Sequence, residues 1–243
     1  RKLLQIIRIL YLKRVFPLCY RNVKTIKKYW IMKFDFLTIE GNIGSGKTSL
    51  SKKIASDFNG KLILEEFADN PFLPKFYKDS KPNAFPLELF FMAERFNQLS
   101  GEKSEIDLFS EFTVSDYSFF KSKLFAQNNL EQDELNLFNR LYNIMFSTVK
   151  KPDLLIYLHA DIERLQENIK RRGREYEQNI SNNYLKEIEK KYFDYLKKQN
   201  DFPVLMLDVS KQNFIEDDKI YNQIITEIKE FEEDVRIKSL ILG

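Results

Sequence analysis

Residues 41–48 read Gly-Asn-Ile-Gly-Ser-Gly-Lys-Thr, a complete G-x-x-x-x-G-K-[ST] loop, and no other stretch restricts the fold as much. Such a loop joins a strand to a helix, and its flanks predict both. Phe34-Asp-Phe-Leu-Thr-Ile-Glu40 alternates and is rich in aromatic and β-branched residues, so it reads as a strand. Ser49–Phe58 carries Leu50, Ile54 and Phe58 at helical spacing. The chain has only seven glycines in 243 residues, yet Gly41, Gly44 and Gly46 all fall here. Glycine lets successive backbone N–H groups turn toward phosphate oxygens, and the following helix points its N-terminal dipole at the same anion. The residue types specify a nucleoside triphosphate such as ATP, held by Gly41, Asn42, Ile43, Gly44, Ser45, Gly46, Lys47, Thr48 and Ser49. Lys47 reaches the β- and γ-phosphates, and the Thr48 hydroxyl is offered to Mg²⁺. An ordinary Gly-rich turn would need neither the lysine nor the hydroxyl.

Beyond the loop, strand and helix patterns alternate, which predicts an α/β fold with a parallel sheet. Strands are expected at 61–65, 109–116, 152–158 and 204–208, the last closing the sheet. Helices are expected at 84–99, 133–149, 182–199 and 218–232, with Asp161 capping a further helix that ends in Lys170-Arg-Arg-Gly-Arg174. In open parallel sheets ligands bind beyond the C-terminal strand ends. Glu65 and Asp116 both fall at such ends, beside the phosphate loop.

Composition removes several function classes. A single cysteine, Cys19, rules out an internal disulfide framework, and no Cys/His cluster suggests zinc. Both features fit the reducing cytoplasm. The single histidine, His159, leaves almost nothing for Ser-His-Asp or Cys-His catalysis and reads as a strand-end residue outside the chemistry. The net charge of +3 misleads, because residues 1–33 hold ten Lys or Arg and no acid. The remaining 29 basic and 36 acidic residues leave 34–243 at −7, so the body is no nucleic-acid binder. The basic segment 1–33 is expected outside the fold, as a targeting peptide, a basic surface helix or an extension without a role. No apolar run approaches the roughly 20 residues that span a bilayer.

The acids and bases around the loop suit phosphoryl transfer, which needs positioning, charge neutralisation and an oriented attacking oxygen. Asp116 can take the metal-proximal place, and Glu65 can accept the proton of an attacking hydroxyl. Its neighbour Glu66 would point to the opposite face of an extended strand. The Lys170–Arg174 run, with Gly173 as a hinge, suits a lid that folds onto the triphosphate and excludes water. It also suits the C-terminal dipole of the helix before it.

Taken together, these motifs resemble the deoxynucleoside kinases, and among them the bacterial deoxyadenosine and deoxyguanosine kinase-like branch. The resemblance runs from about Phe34 to Glu232. It is carried by Glu40-Gly-Asn-Ile-Gly-Ser-Gly-Lys-Thr48, by Glu65 with Asp69-Asn-Pro-Phe-Leu-Pro-Lys-Phe-Tyr77, and by Phe85-Pro-Leu-Glu-Leu-Phe-Phe-Met-Ala-Glu-Arg-Phe96. Asp116-Tyr-Ser-Phe-Phe-Lys-Ser-Lys-Leu-Phe-Ala126 and Arg172-Gly-Arg-Glu-Tyr-Glu-Gln178 complete it.

What the resemblance implies is a three-layer fold with a five-stranded parallel sheet, helices on both faces and a short Arg-rich lid at about 168–180. The implied activity is ATP- and Mg²⁺-dependent phosphorylation of a deoxynucleoside 5′-hydroxyl, with deoxyadenosine favoured and deoxyguanosine next. A homodimer is implied, with the apolar helices 84–99 and 133–149 as its surface. By the same resemblance Glu65 is the general base, and Asp116 holds Mg²⁺ with Thr48. Tyr77 and Glu177 bond the sugar 3′-hydroxyl, Arg172 and Arg174 clasp the triphosphate, and Arg95 stands near the base.

Three positions depart from the family pattern. Tyr117 replaces an arginine, and Lys121, one helical turn on, is a candidate to supply the missing charge. Glu88 replaces the glutamine that reads the base; ionised, it only accepts hydrogen bonds, which favours guanine donors unless burial keeps it protonated. Asn168 replaces a lid arginine found in some relatives. The competing readings are a thymidylate-like monophosphate kinase and a relative that binds nucleotide without catalysis. The first would need cations for an acceptor phosphate, whereas 65–95 is rich in acids and aromatics.

Overall fold

The computed structural model describes residues 33–65, 70–100, 110–232 and 234–242. The basic extension up to residue 32, and Glu66 and Asp69, lie outside the described residues. The chain runs β1 (Phe36–Gly41), α1 (Lys47–Phe58), β2 (Gly60–Ile63), α2 (Leu73–Lys78), α3 (Ser80–Ser100), β3 (Phe112–Ser115), α4 (Phe120–Asn129) and α5 (Gln132–Phe146). It continues through β4 (Leu154–His159), α6 (Ile162–Arg172), a 3₁₀ turn at Glu175–Glu177, α7 (Asn182–Lys198), β5 (Val204–Asp208), α8 (Asp218–Lys229) and β6 (Ile237–Ile241).

The strands form one parallel sheet in the order β2-β3-β1-β4-β5-β6. Strand β1 lies at its middle and pairs Thr38 with Ser115 on one side and with Leu155 on the other. Order reverses beside β1, so a crevice opens beyond its C-terminal end, where the phosphate loop begins.

Every residue of β1 is buried, as expected of a strand covered on both faces. Alternation in β4 shows the two layers. Leu154, Ile156 and Leu158 join Leu50 and Ile54 of α1, Leu165 and Ile169 of α6, and Ile224 and Ile228 of α8. Leu155 and Tyr157 join Phe120 and Leu124 of α4 and Ile188, Tyr192 and Leu196 of α7. A third cluster packs Phe36 with Met92 and Leu99 of α3, Phe119, and Phe138 and Tyr142 of α5.

The expected five-stranded sheet is corrected to six strands. β6 continues past β5, with Val204 opposite Ile237 and Asp208 opposite Ile241. It is an edge strand of five residues, interrupted by Lys238 and Ser239, and Ile241 is 80% exposed. A half-solvated edge does not require the apolar run that marks an interior strand. Helix α3 also starts earlier than expected, at Ser80. Pro82 falls in its first turn, where a missing N–H costs nothing, so only Pro86 interrupts the pattern. Asp161 caps α6 as expected, its carboxylate accepting the Arg164 N–H.

Ile156 is fully buried in β4, between the helix layers. Ile156→Ala is expected to lower unfolding stability by about 3 kcal/mol, through lost transfer energy and an unfilled cavity. Urea denaturation monitored by circular dichroism measures it.

Candidate functional site

The phosphate loop is built where its glycines are sterically required. Gly44 and Gly46 have φ of 85° and 93°, in the left-handed region. A Cβ on Gly44 would lie 2.7 Å from the Leu165 carbonyl oxygen, and one on Gly46 would lie 2.8 Å from the Phe214 ring. Helix α1 follows with no side-chain cap and no acid in its first turn, so its N-terminal N–H groups face the loop uncompensated. Lys47 Nζ donates to the carbonyls of Gly41 at 3.0 Å and Asn42 at 2.8 Å. Burial, helped by the charge of Lys121, lowers its pKa to about 8 against the pull of Glu40, Glu65 and Asp116. The Asn42 amide is structural, donating to the Leu185 carbonyl and accepting the Ile43 N–H. Asn168, expected in place of a lid arginine, donates to the Gly44 carbonyl at 2.8 Å and so ties α6 to the loop.

Strand ends carry the acids to this loop. The Thr48 hydroxyl donates to Asp116 Oδ2 at 2.5 Å, while Asp116 Oδ1 accepts the Glu65 N–H at 2.8 Å. The three residues thus form one connected set. Among the described residues no three His, Cys, Asp or Glu gather into a metal cluster. What the site offers a cation is the Thr48 and Asp116 oxygens, a hard donor pair of the kind Mg²⁺ uses alongside phosphate and water.

Glu65 is held between two cations. Arg95 donates through Nε at 2.8 Å and Nη2 at 2.6 Å to Oε1, and Lys121 Nζ lies 2.5 Å from Oε2. Burial alone would raise the Glu65 pKa, but the charges and hydrogen bonds of Lys121 and Arg95 outweigh it and hold the carboxyl well below the usual range. Arg95, expected near the base, is committed to Glu65 and to the Ser122 hydroxyl. Tyr117 sits away from the cavity, fully buried, with its hydroxyl donating to Gln98. Of the two cations on Glu65, Arg95 comes from α3 and Lys121 from α4.

The expected lid is the end of α6, the turn at Gly173 (φ 70°) and the 3₁₀ turn. Arg172 and Arg174 are brought together, both donating to the buried Glu177 carboxylate, Arg174 at 3.1 Å. Tyr77 stacks on Tyr176 with centroids 5.9 Å apart, which sets it next to Glu177. His159 stands at the end of β4 with Nδ1 3.1 Å from Glu189, and does not line the cavity.

Of the expected site residues, the loop from Ile43 to Ser49, Glu65, Tyr77, Arg95, Asp116, Lys121, Asn168, Arg172, Arg174 and Glu177 line one cavity of about 420 Å³, within the range of small-molecule sites, while Gly41, Asn42, Tyr117 and His159 do not. Glu88, 1% exposed, also lines it. Sequence reading did not identify Asn129, Tyr184, Phe91, Phe125 or the Gln212–Ile215 segment as part of the site. Asn129 and Tyr184 come from different helices, and no spacing rule connects either to Glu88.

Residues 37–233 match the family described as deoxynucleoside kinase. The chain is 30% identical over 199 residues to a deoxyguanosine kinase of Bacillus subtilis, covering 80% of this chain and 96% of that one. It is 31% identical over 211 residues to a deoxyadenosine/deoxycytidine kinase of the same organism, covering 84% and 95%. A solved deoxyadenosine kinase from M. mycoides superposes with a TM-score of 0.66 at 24% identity, covering 79% of this chain and 98% of that one, which shows the shared fold.

Lys47 carries its charge below about pH 8 and loses it above. The kcat/KM for ATP reports groups of the free enzyme, so it is expected to fall as pH rises through about 8. A pH profile of initial rates at limiting ATP measures this.

Proposed function

The chain belongs to the deoxynucleoside kinase family, and from that premise we propose that its cavity transfers the γ-phosphoryl group of ATP to the 5′-hydroxyl of a purine deoxynucleoside. Deoxyadenosine ranks first and deoxyguanosine second, in keeping with relatives named for both bases. One observation carries the reading. A single cavity is lined by the phosphate loop and by Glu88, Phe91 and Phe125, with Thr48, Asp116 and Glu65 linked by hydrogen bonds.

In this reaction the phosphate loop and the start of α1 bind the triphosphate, and Lys47 turns from its loop carbonyls to the β- and γ-phosphates. Thr48 and Asp116 would hold Mg²⁺, which would supply charge neutralisation at the triphosphate. Arg172 and Arg174 exchange Glu177 for phosphate oxygens. Glu65 accepts the hydrogen bond of the 5′-hydroxyl and orients its oxygen for in-line attack. Because Lys121 and Arg95 make Glu65 a weak base, its first task is orientation. The proton passes to it late, as the new P–O bond makes the hydroxyl strongly acidic. A loose phosphoryl transition state makes this sufficient, since little nucleophile activation is needed. Tyr77 and Glu177 are assigned to the sugar 3′-hydroxyl. The acids of this cavity suit an uncharged acceptor better than a monophosphate, because Arg95 and Lys121 are already neutralised by Glu65.

The fold domain begins at about residue 34, and the basic extension is dispensable for chemistry. Among the described residues no helix is long and apolar enough to cross a membrane, and the reaction is assigned to the cytoplasm. We also assign the exposed row Leu137, Leu141 and Ile144 on α5 to a homodimer contact. These residues are 47%, 36% and 71% exposed at one-face helical spacing.

A chain starting at Met32, given ATP, Mg²⁺ and each of the four common deoxynucleosides, is expected to phosphorylate a purine deoxynucleoside. Failure on all four, with ATP binding retained, removes the reading. Glu65→Gln is expected to lower kcat about 10²- to 10⁴-fold while leaving ATP affinity within a few-fold. The dimer assignment predicts that Ile144→Asp halves the mass measured by light scattering at micromolar concentration.

A further inference from the structure

Glu88 is an acid buried where the cavity meets α3, and its two oxygens differ. Oε1 accepts the Asn129 amide N–H at 2.7 Å, from the last residue of α4. Oε2 is buried and, among the described residues, has no hydrogen-bond partner. The same Asn129 nitrogen lies 3.4 Å from the Tyr184 hydroxyl of α7, and its carbonyl oxygen accepts from Asn128 at 3.2 Å. Asn129 is thereby fixed from two sides, and it fixes which carboxylate oxygen is engaged. An unmet acceptor in a buried pocket is costly unless a ligand supplies the donor.

Resting on the kinase reading above, we propose that Asn129 is a positioning residue for Glu88, and that the proton on Glu88 selects which purine the kinase takes. With Oε1 held by the amide, Oε2 is the atom that meets position 1 of the base. An ionised Oε2 only accepts. It pairs with the N1–H of guanine and repels the N1 lone pair of adenine. A protonated Oε2 donates to adenine N1 and opposes guanine N1–H. A site built around one such polar contact discriminates far more strongly than an apolar one, because the wrong partner leaves a buried group unpaired.

The surroundings poise this choice near neutrality. Burial raises the Glu88 pKa to about 7, with Glu65 acting in the same direction. The Asn129 hydrogen bond and the charges of Arg95 on α3 and Lys121 on α4 pull it down. From α7 the facing group is the Tyr184 phenol, itself pushed up by burial and by Glu88. From α2 the cavity is lined by Leu73, Phe76 and the phenol of Tyr77.

The test is kcat/KM for deoxyguanosine and deoxyadenosine, side by side, from about pH 6 to about pH 8.5, in the full chain. Their ratio cancels every effect of pH that both substrates share, that of Lys47 included. In the wild type the deoxyguanosine-to-deoxyadenosine ratio is expected to rise with pH, at up to about tenfold per pH unit near pH 7. Glu88→Gln, isosteric and without a titrating proton, is expected to give a flat ratio. Asn129→Ala and Asn129→Asp both remove the donor that favours the ionised form, so each shifts the rise to higher pH without abolishing it. A merely structural role for Asn129 would lower both rates together and leave the rise in place.

A flat wild-type ratio, a Glu88→Gln ratio that still titrates, or Asn129 variants whose rise coincides with the wild type overturns the proposal. With both purines still phosphorylated, those results leave the kinase reading standing. No phosphorylation of any deoxynucleoside overturns both.

Discussion

The Glu40 carboxylate holds together the two halves of this site. It is fully buried at the end of β1, one residue before the phosphate loop. Oε1 accepts the Ser118 N–H at 2.7 Å and hydroxyl at 2.9 Å, and Oε2 accepts the Tyr192 hydroxyl at 2.8 Å and the Gly41 N–H at 3.3 Å. A carboxylate in such a place is tolerated only because its oxygens are met by donors. Those donors come from the phosphate loop, the β3–α4 turn and α7. Asp116 lies two residues before Ser118, so the same network sets where Asp116 meets Thr48. Removing one donor would leave a charged acceptor short of a partner in the core, which makes the arrangement cooperative.

The electrostatics of the cavity follow a similar rule of local compensation. Two of its acids are answered by nearby cations, Glu65 by Arg95 and Lys121, and Glu177 by Arg172 and Arg174. Glu88 differs, because only a neutral amide answers one of its oxygens. The body of the chain is acidic overall, yet an anion entering the cavity meets Lys47, α1 and the lid arginines together. Local placement of charge, rather than net charge, decides what the site attracts.

Much of this was legible in the sequence where structure is dictated locally. The alternation around Phe36–Gly41, the glycine loop and the helical spacing of Leu50 and Ile54 fix strand, turn and helix through steric and burial rules that act within a dozen residues. Asp161 announces its helix because capping is a three-residue contact. β6 was not legible, since a half-solvated edge strand of five residues needs no apolar signature. Nor were the partners of the site acids. Lys121 and Arg95 meet Glu65 from sequence separations of 56 and 30 residues, and Asn129 meets Glu88 from 41. The packing of α3 against α4, beside the chain that leaves β2, brings them together. The resemblance placed Arg95 near the base; it lines the same cavity as Glu88, with its guanidinium bound to Glu65. Tyr117 stands where a charged residue was expected, and its phenol completes a buried contact with Gln98, while Lys121 in the first turn of α4 pairs with Glu65.

The grip of Glu177 on both lid arginines makes the lid an ion exchanger. A polyphosphate does not find bare cations; it must displace an internal carboxylate that already satisfies them. Binding is therefore a swap of one anion for another, and its net strength is a difference between two attractions. A single anionic oxygen competes poorly against a carboxylate held by two guanidinium groups. A triphosphate, held at once by the loop and by α1, competes with several contacts in one molecule. In this sense Glu177 is a built-in counterion, which any anion arriving at Arg172 and Arg174 has to displace.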